Sequence, residues 1–279
     1  MKNLKNGTFE GERALFKGRN LKIDNSKFLN GESPLKESKN IEVTNSTFGW
    51  KYPLWYSKNV KCDNVKFEEM SRSGIWYTKN ISLNNCNVIA PKEFRRSKKI
   101  EIVDSVFHNA QETLWSCEDI KLKNVKPKGD YLLMNSKNVE IENLELDGNY
   151  LLDGGSNIVV KNSILNSKDA FWNTKNVVVE NSKIVGEYIG WNSKNITFIN
   201  CEIESHQGFC YIENLKLINC KLINTDLAFE YSTVDADINS KVTSIKNPIK
   251  GTIKCLGYDE LILDDKNINF DDVKIIVGE

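Results

Sequence analysis

Three side chains in this sequence are spaced to do acid–base work together. Asp169, Glu187 and His206 follow one another at intervals of 18 and 19 residues. In a chain that returns on itself every 19 to 21 residues, Asp169 sits diagonally below Glu187, and His206 sits above Glu187 in the same column. Two carboxylates roughly 5–9 Å apart suit glycoside chemistry. A carboxylate beside an imidazole tunes it as a general base. One carboxylate would then act as acid or base, while the other fixes the imidazole or a nucleophilic water. Trp172, Trp191 and Tyr188 flank these positions as substrate platforms, and Tyr150 and Gln207 extend the same columns. Glu112 and Asp130 repeat the diagonal elsewhere, beside Arg95, Arg96 and Trp115. The plain alternative for both groups is a solvated polar face with ordinary ion pairs.

The elements that must position these residues come from a repeat. FWNTKNVVVENS (171–182) returns as GWNSKNITFINC (190–201). The inner Asn of this phrase recurs from Asn6 through Asn25, Asn45 and Asn64 to Asn181, Asn200 and Asn219, with Asp104 filling one slot. An outer Asn keeps the same clock from Asn20 to Asn214, with Lys99 and Asp119 substituting. Between the two, apolar and polar residues alternate, as in Asn195-Ile196-Thr197-Phe198-Ile199-Asn200, which is the period of a strand with one buried face. Short strands on a twenty-residue clock bury their apolar face only by stacking on the next copy. The pattern predicts an all-β, single-stranded, right-handed parallel β-helix of about eleven to twelve coils of 19–21 residues. Stacked side-chain amides then bond along the pile in an asparagine ladder, so the repeated Asn reads as structural. A leucine-rich repeat and a hexapeptide helix need other spacings, and a five-residue period does not persist.

After Ser232 the Asn phrase fails. Residues 1–232 are therefore expected to be repeats, and 233–279 an irregular last turn with a C-terminal cap, in one continuous domain. The acids Asp264, Asp265, Asp271 and Asp272 read as protection of the sheet edge. They do not form a calcium loop, because the D-x-D-x-D-G pattern is missing.

Function should sit where the repeat varies. Five residues before the outer Asn runs a core column that includes Leu35, Leu54, Ile75, Phe94, Leu114 and Phe171. The next column holds Trp55, Trp76, Arg95, Trp115, Asp153, Trp172 and Trp191, a mixture that should face outward. An exposed aromatic stripe of this size marks a contact surface. Rings stack on the apolar faces of sugars and amides bond their hydroxyls, so a saccharide or another small polar ligand is one expected partner. A loop or a second subunit covering the stripe, in a non-catalytic homo-oligomeric scaffold, is the alternative.

Composition narrows the classes. Lys+Arg and Asp+Glu both number 38, so the formal charge is zero and a basic nucleic-acid footprint is not expected. A run long enough to cross a bilayer is missing, and MKNLKNGTFEGERALF has no apolar signal core. Cys86, Cys201 and Cys220 take the small-residue slot after the inner Asn, where side chains run parallel and a disulfide fits poorly. Reduced thiols and a cytoplasmic location are the expectation. C-x-x-C is missing, so neither a metal nor a cofactor is called for.

GERALF (11–16), KYPLWY (51–56), EFRRS (93–97), ETLW (112–115), KDAFWN (168–173) and GEYIGWNS (186–193) resemble a bacterial family of right-handed β-helix proteins catalogued as a domain of unknown function. The resemblance spans Gly11 to about Gly251. It implies the fold and supplies no catalytic residue. Some relatives carry the label hydrogenase, which the missing C-x-x-C motifs argue against. Pectin-degrading β-helices share the architecture only. Of the polygalacturonase motifs, Asn224-Thr225-Asp226 is a lone match at the wrong end.

Overall fold

The alternation becomes parallel strands in a computed structural model that describes residues 1–278. Glu279, the last residue of the expected cap, lies outside the described residues. The chain separates into two compact units, residues 1–145 and 146–279. Each is a parallel β-solenoid.

In the first unit, strands from Lys2–Lys5 through Lys58–Asp63 and Lys98–Val103 to Glu118–Pro127 form one column. A second column of two-residue strands runs from Thr8–Phe9 to Val106–Phe107. The register steps one turn at a time: Ile41 faces Val60, and Val60 faces Ile81. Inward residues of the short strands pile face to face, with Phe9, Phe28, Phe48 and Phe67 at 4.9, 4.7 and 5.2 Å between ring centroids. In the second unit, Ser156–Lys161, Lys175–Glu180, Lys194–Ile199 and Glu213–Asp226 continue the same scheme. Phe171, Phe198, Phe209 and Phe229 are fully buried there.

About fifteen turns are present, against the eleven to twelve expected. The additional turns lie beyond the last Asn phrase. Thr233–Ile238 pairs in parallel with Lys250–Cys255, which pairs in parallel with Val273–Val277. Parallel pairing needs backbone groups and an apolar inner row, here Val234, Ala236 and Ile253. It does not need the Asn.

The repeated Asn residues stand outside the core, at left-handed positions of the backbone. Asn181 and Asn200 are exposed and adopt the left-handed conformation, at φ 50° and 51°. Asn tolerates that region better than other residues with a side chain. Outside the sheet, the Asn200 side-chain amide donates to Asn181 (3.2 Å), and that of Asn219 donates to Asn200 (2.8 Å). Buried corner groups are satisfied from inside by hydroxyls: the amides of Thr78, Cys117 and Thr174 donate to Ser97, Ser136 and Ser193 Oγ, each at 3.0 Å. Asn200→Ala should lower stability by about 1–2 kcal/mol, through the left-handed penalty and two lost amide bonds. Asn200→Gly, which keeps the backbone freedom, should recover part of that loss. Thermal melts of the two variants measure the two contributions separately, and an unchanged Asn200→Ala melt would remove the column's structural role.

Candidate functional site

Each turn has one corner where left-handed residues alternate with ordinary ones. Asp169, Phe171 and Asn173 (φ 53°, 63° and 55°) are followed one turn later by Tyr188, Gly190 and Asn192 (φ 55°, 73° and 57°). Backbone bonds lock the turns together: the Asp169 amide donates to Glu187 O (2.8 Å), and the Tyr188 amide donates to His206 O (3.0 Å). The middle residue of the first triplet, Phe171, is buried in the core, and Gly190 takes its place in the second.

In the first unit this corner is filled by its own side chains. Trp55 and Trp76 stack at 5.1 Å, 8° from parallel. The Arg95 guanidinium carbon lies 4.5 Å from the Trp76 ring centroid and 4.8 Å from that of Trp115. Glu112 completes the cluster, bonded to Lys92 Nζ (3.2 Å) and Arg95 Nη2 (3.4 Å). The indole Nε1 groups of Trp76 and Trp115 donate to the carbonyls of Lys92 (2.9 Å) and Tyr131 (2.6 Å). The carbonyl of Asp130 accepts from the Glu112 amide (2.9 Å), and Arg96 is exposed beside the stack. Trp55 and Trp76 cover one another's faces, and Arg95 lies between the rings of Trp76 and Trp115.

The second unit differs. Trp172 and Trp191 are splayed, 6.4 Å apart at 52°. Tyr188 sets its edge against Trp191 at 5.3 Å, and Tyr150 lies nearly parallel to Trp172 at 6.5 Å. Alongside run exposed amides: Asn192 Nδ2 donates to Asn173 Oδ1 (2.7 Å), and Asn173 Nδ2 donates to Asp153 Oδ1 (3.1 Å). The tryptophans are half-buried, outside the core.

Asp169, Glu187 and His206 do fall on three consecutive turns, with Glu187 facing His206 in register. Their partners are not one another. Glu187 Oε1 bonds Lys168 Nζ (2.8 Å), which holds the ammonium group above its ordinary range. His206 Nδ1 pairs with the Asp226 carboxylate (2.8 and 3.1 Å), which fixes the orientation of the ring. Asp226 also accepts from the Gln207 amide (3.1 Å), and Gln207 Nε2 donates to Glu230 (3.2 Å). Asp169 keeps only 9 % of its surface. Burial first, and then the charges of Glu187 and Asp153, push its carboxyl above the usual carboxylate range.

Sequence reasoning missed the residue that orients His206. Asp226 lies 20 residues on, but the strand register shifts between Glu204 and His206, and counting in steps of 19 lands on Thr225. It also missed Glu93, an acid in a column of small or apolar residues (Pro53, Gly74, Thr113, Leu132). Glu93 is completely buried, and neither carboxylate oxygen has a partner. All seven cysteines are buried and free. Burial pushes the thiols of Cys86, Cys117 and Cys210 to about 11, 12 and 12, which makes them poor nucleophiles.

Stacked parallel strands with variable corner side chains define the class, a parallel β-solenoid with an aromatic corner column. The chain belongs to the family described as "Protein of unknown function (DUF3737)", whose model matches residues 2–276. No curated protein matches it. Among solved structures, the surface adhesin PfbA of Streptococcus pneumoniae is 12% identical, with 86% of this chain and 82% of that one covered at a TM-score of 0.50. The A-module of the Azotobacter vinelandii mannuronan C-5 epimerase AlgE6 is also 12% identical, covering 99% of this chain and 91% of that one at a TM-score of 0.39. These likenesses concern the fold. No helix among the described residues is long and apolar enough to cross a membrane.

Proposed function

We propose that this protein binds a saccharide chain on the corner surface of its second unit, with Trp172 and Trp191 as the platforms and Tyr188, Asn173 and Asn192 beside them. One observation carries the reading: the 52° splay of Trp172 and Trp191. Trp55 and Trp76, nearly parallel at 5.1 Å, spend their faces on each other. Trp191 also stacks on Tyr211 at 5.2 Å, so the splay leaves its wedge of ring face between Trp172 and Trp191, and a sugar ring presents the C–H groups that fit it. The adjoining Asn ladder supplies amide donors and acceptors at the rim. The seven buried, unpaired thiols support a reducing compartment such as the cytoplasm.

Native affinity electrophoresis through gels loaded with soluble polysaccharides tests the proposal. Retardation by at least one polysaccharide is expected. Trp172→Ala and Trp191→Ala should each weaken it roughly tenfold, the scale of one lost ring contact. Trp76→Ala, in the self-filled stack, should leave it unchanged. Retardation that survives both substitutions in the second unit would move the site elsewhere. No retardation by any polysaccharide would end the reading.

A further inference from the structure

The two units place different charges at the same repeat positions, so one serves as a control for the other. In the first unit the Trp column carries Arg95, and on the next turn, three residues before Trp115, stands Glu112. Glu112 bonds Arg95, and the guanidinium lies against Trp76 and Trp115. In the second unit the position of Arg95 is taken by Asp153, and that of Glu112 by Asp169. The acid is kept and the cation is replaced by a second acid. Lys168, whose charge reaches Asp169, is bonded to Glu187.

Asp169 keeps 9 % of its surface, and its carboxylate oxygens are not sealed in the core as those of Glu93 are, so they stay open to a partner from outside. An i, i+3 pair at this corner brings the first side chain against the indole that follows: Tyr52 lies 5.2 Å from Trp55, and Tyr188 lies 5.3 Å from Trp191. By the same spacing, Asp169 belongs against Trp172. Two carboxylates on neighbouring turns, with Trp172 and Tyr150 on those same turns, attract a cation twice over, by charge and through the ring quadrupoles.

We infer that Asp153 and Asp169, with Tyr150 and Trp172, bind an ammonium group supplied by the ligand, and that the saccharide is a chain carrying free amines. The ligand ammonium replaces the guanidinium that Arg95 supplies in the first unit. The choice of saccharide rests on the binding function proposed above. The cation site stands on its own geometry.

Calorimetric titration of the whole protein with four probes separates the two ideas: a glucosamine hexamer with free amines, its N-acetylated counterpart, cellohexaose and tetramethylammonium chloride. The aminated hexamer should bind at least about tenfold tighter than the other two sugars, and tetramethylammonium should compete with it. Asp169→Asn and Asp153→Asn should each remove about tenfold of that preference. Asp153→Arg, which installs the cation of the first unit, should abolish binding of the aminated hexamer while the protein melts no lower than the parent. Equal affinity for aminated and acetylated hexamers, unchanged in Asp169→Asn, would overturn the ammonium site and leave the saccharide reading intact. Asp169-dependent binding of tetramethylammonium without affinity for any sugar would support the site and sink the saccharide reading. No binding of any probe would overturn both.

Discussion

Replacing Glu93 with Thr, the residue that follows it in the same column as Thr113, should stabilise the protein by about 1–3 kcal/mol near neutral pH. That is the scale of a buried polar group left without a partner. Glu93 is wholly buried, and both its oxygens are unpartnered. Its Oε2 also fills space over Gly74, where an added Cβ would come within 2.5 Å of it. Burial raises its pKa well above the ordinary 4.5, so the folded protein holds it as the neutral acid. The sign follows from linkage. A carboxyl whose pKa is higher in the folded than in the unfolded chain favours folding less as pH rises. Its penalty is absent below about 4.5 and grows by about 1.4 kcal/mol per pH unit until the folded value is reached. Melts of the parent should therefore fall as pH climbs above about 4.5. Glu93→Gln should flatten that slope, and Glu93→Thr should flatten it and raise the whole curve. Identical slopes in parent and Glu93→Gln would show that Glu93 is ionised or hydrated in the fold.

The columns of the solenoid were legible because backbone pairing imposes them. Once Asn181, Asn200 and Asn219 fix the step, the inward positions of Ile196, Phe198 and Leu217 follow by counting, and all three are buried. The corner chemistry was less legible. Arg95 and Asp153 share a column, yet one is a solved ion pair and the other an acid beside an acid. That difference arises from the turn above, where Glu112 and Asp169 stand. Counting also fails where the register shifts. The bulge between Glu204 and His206 delivers Asp226 to the imidazole in place of Glu187. The repeat phrase ends before the pairing does, because the Asn serves the left-handed backbone of a particular corner. The later turns pair without it, and Gly251 there takes φ 120°, a conformation that an Asn corner does not use.

Gly186→Ala should cost about 3–5 kcal/mol and remove ligand binding, although the substitution adds one methyl group to a half-buried position outside the core. Ser167 and Ser205, its neighbours in the column, are buried. At Gly186 the backbone instead directs a Cβ at the turn below, 2.0 Å from the Ser167 carbonyl oxygen and 2.7 Å from its carbon. The obstacle is main chain, so no rotamer relieves it. The two turns must separate where the amides of Ser167 and Asp169 donate to Val185 O (2.9 Å) and Glu187 O (2.8 Å). Two backbone bonds at about 1 kcal/mol each, with overpacking of about 1–3 kcal/mol, set the estimate. In a chain of this size that lowers the melting temperature by roughly 5–10 °C. The same displacement moves Glu187, Tyr188 and Trp191 away from Asp169 and Trp172, which opens the wedge and parts the acids from the rings. Gly278→Ala, where an added Cβ meets nothing within 4 Å, is the matched control and should melt with the parent. The informative result is a Gly186→Ala protein that melts normally. It would mean that the turns carrying the aromatic corner separate at little cost, and a surface so loosely held would not keep Trp172 and Trp191 preorganised for a ligand.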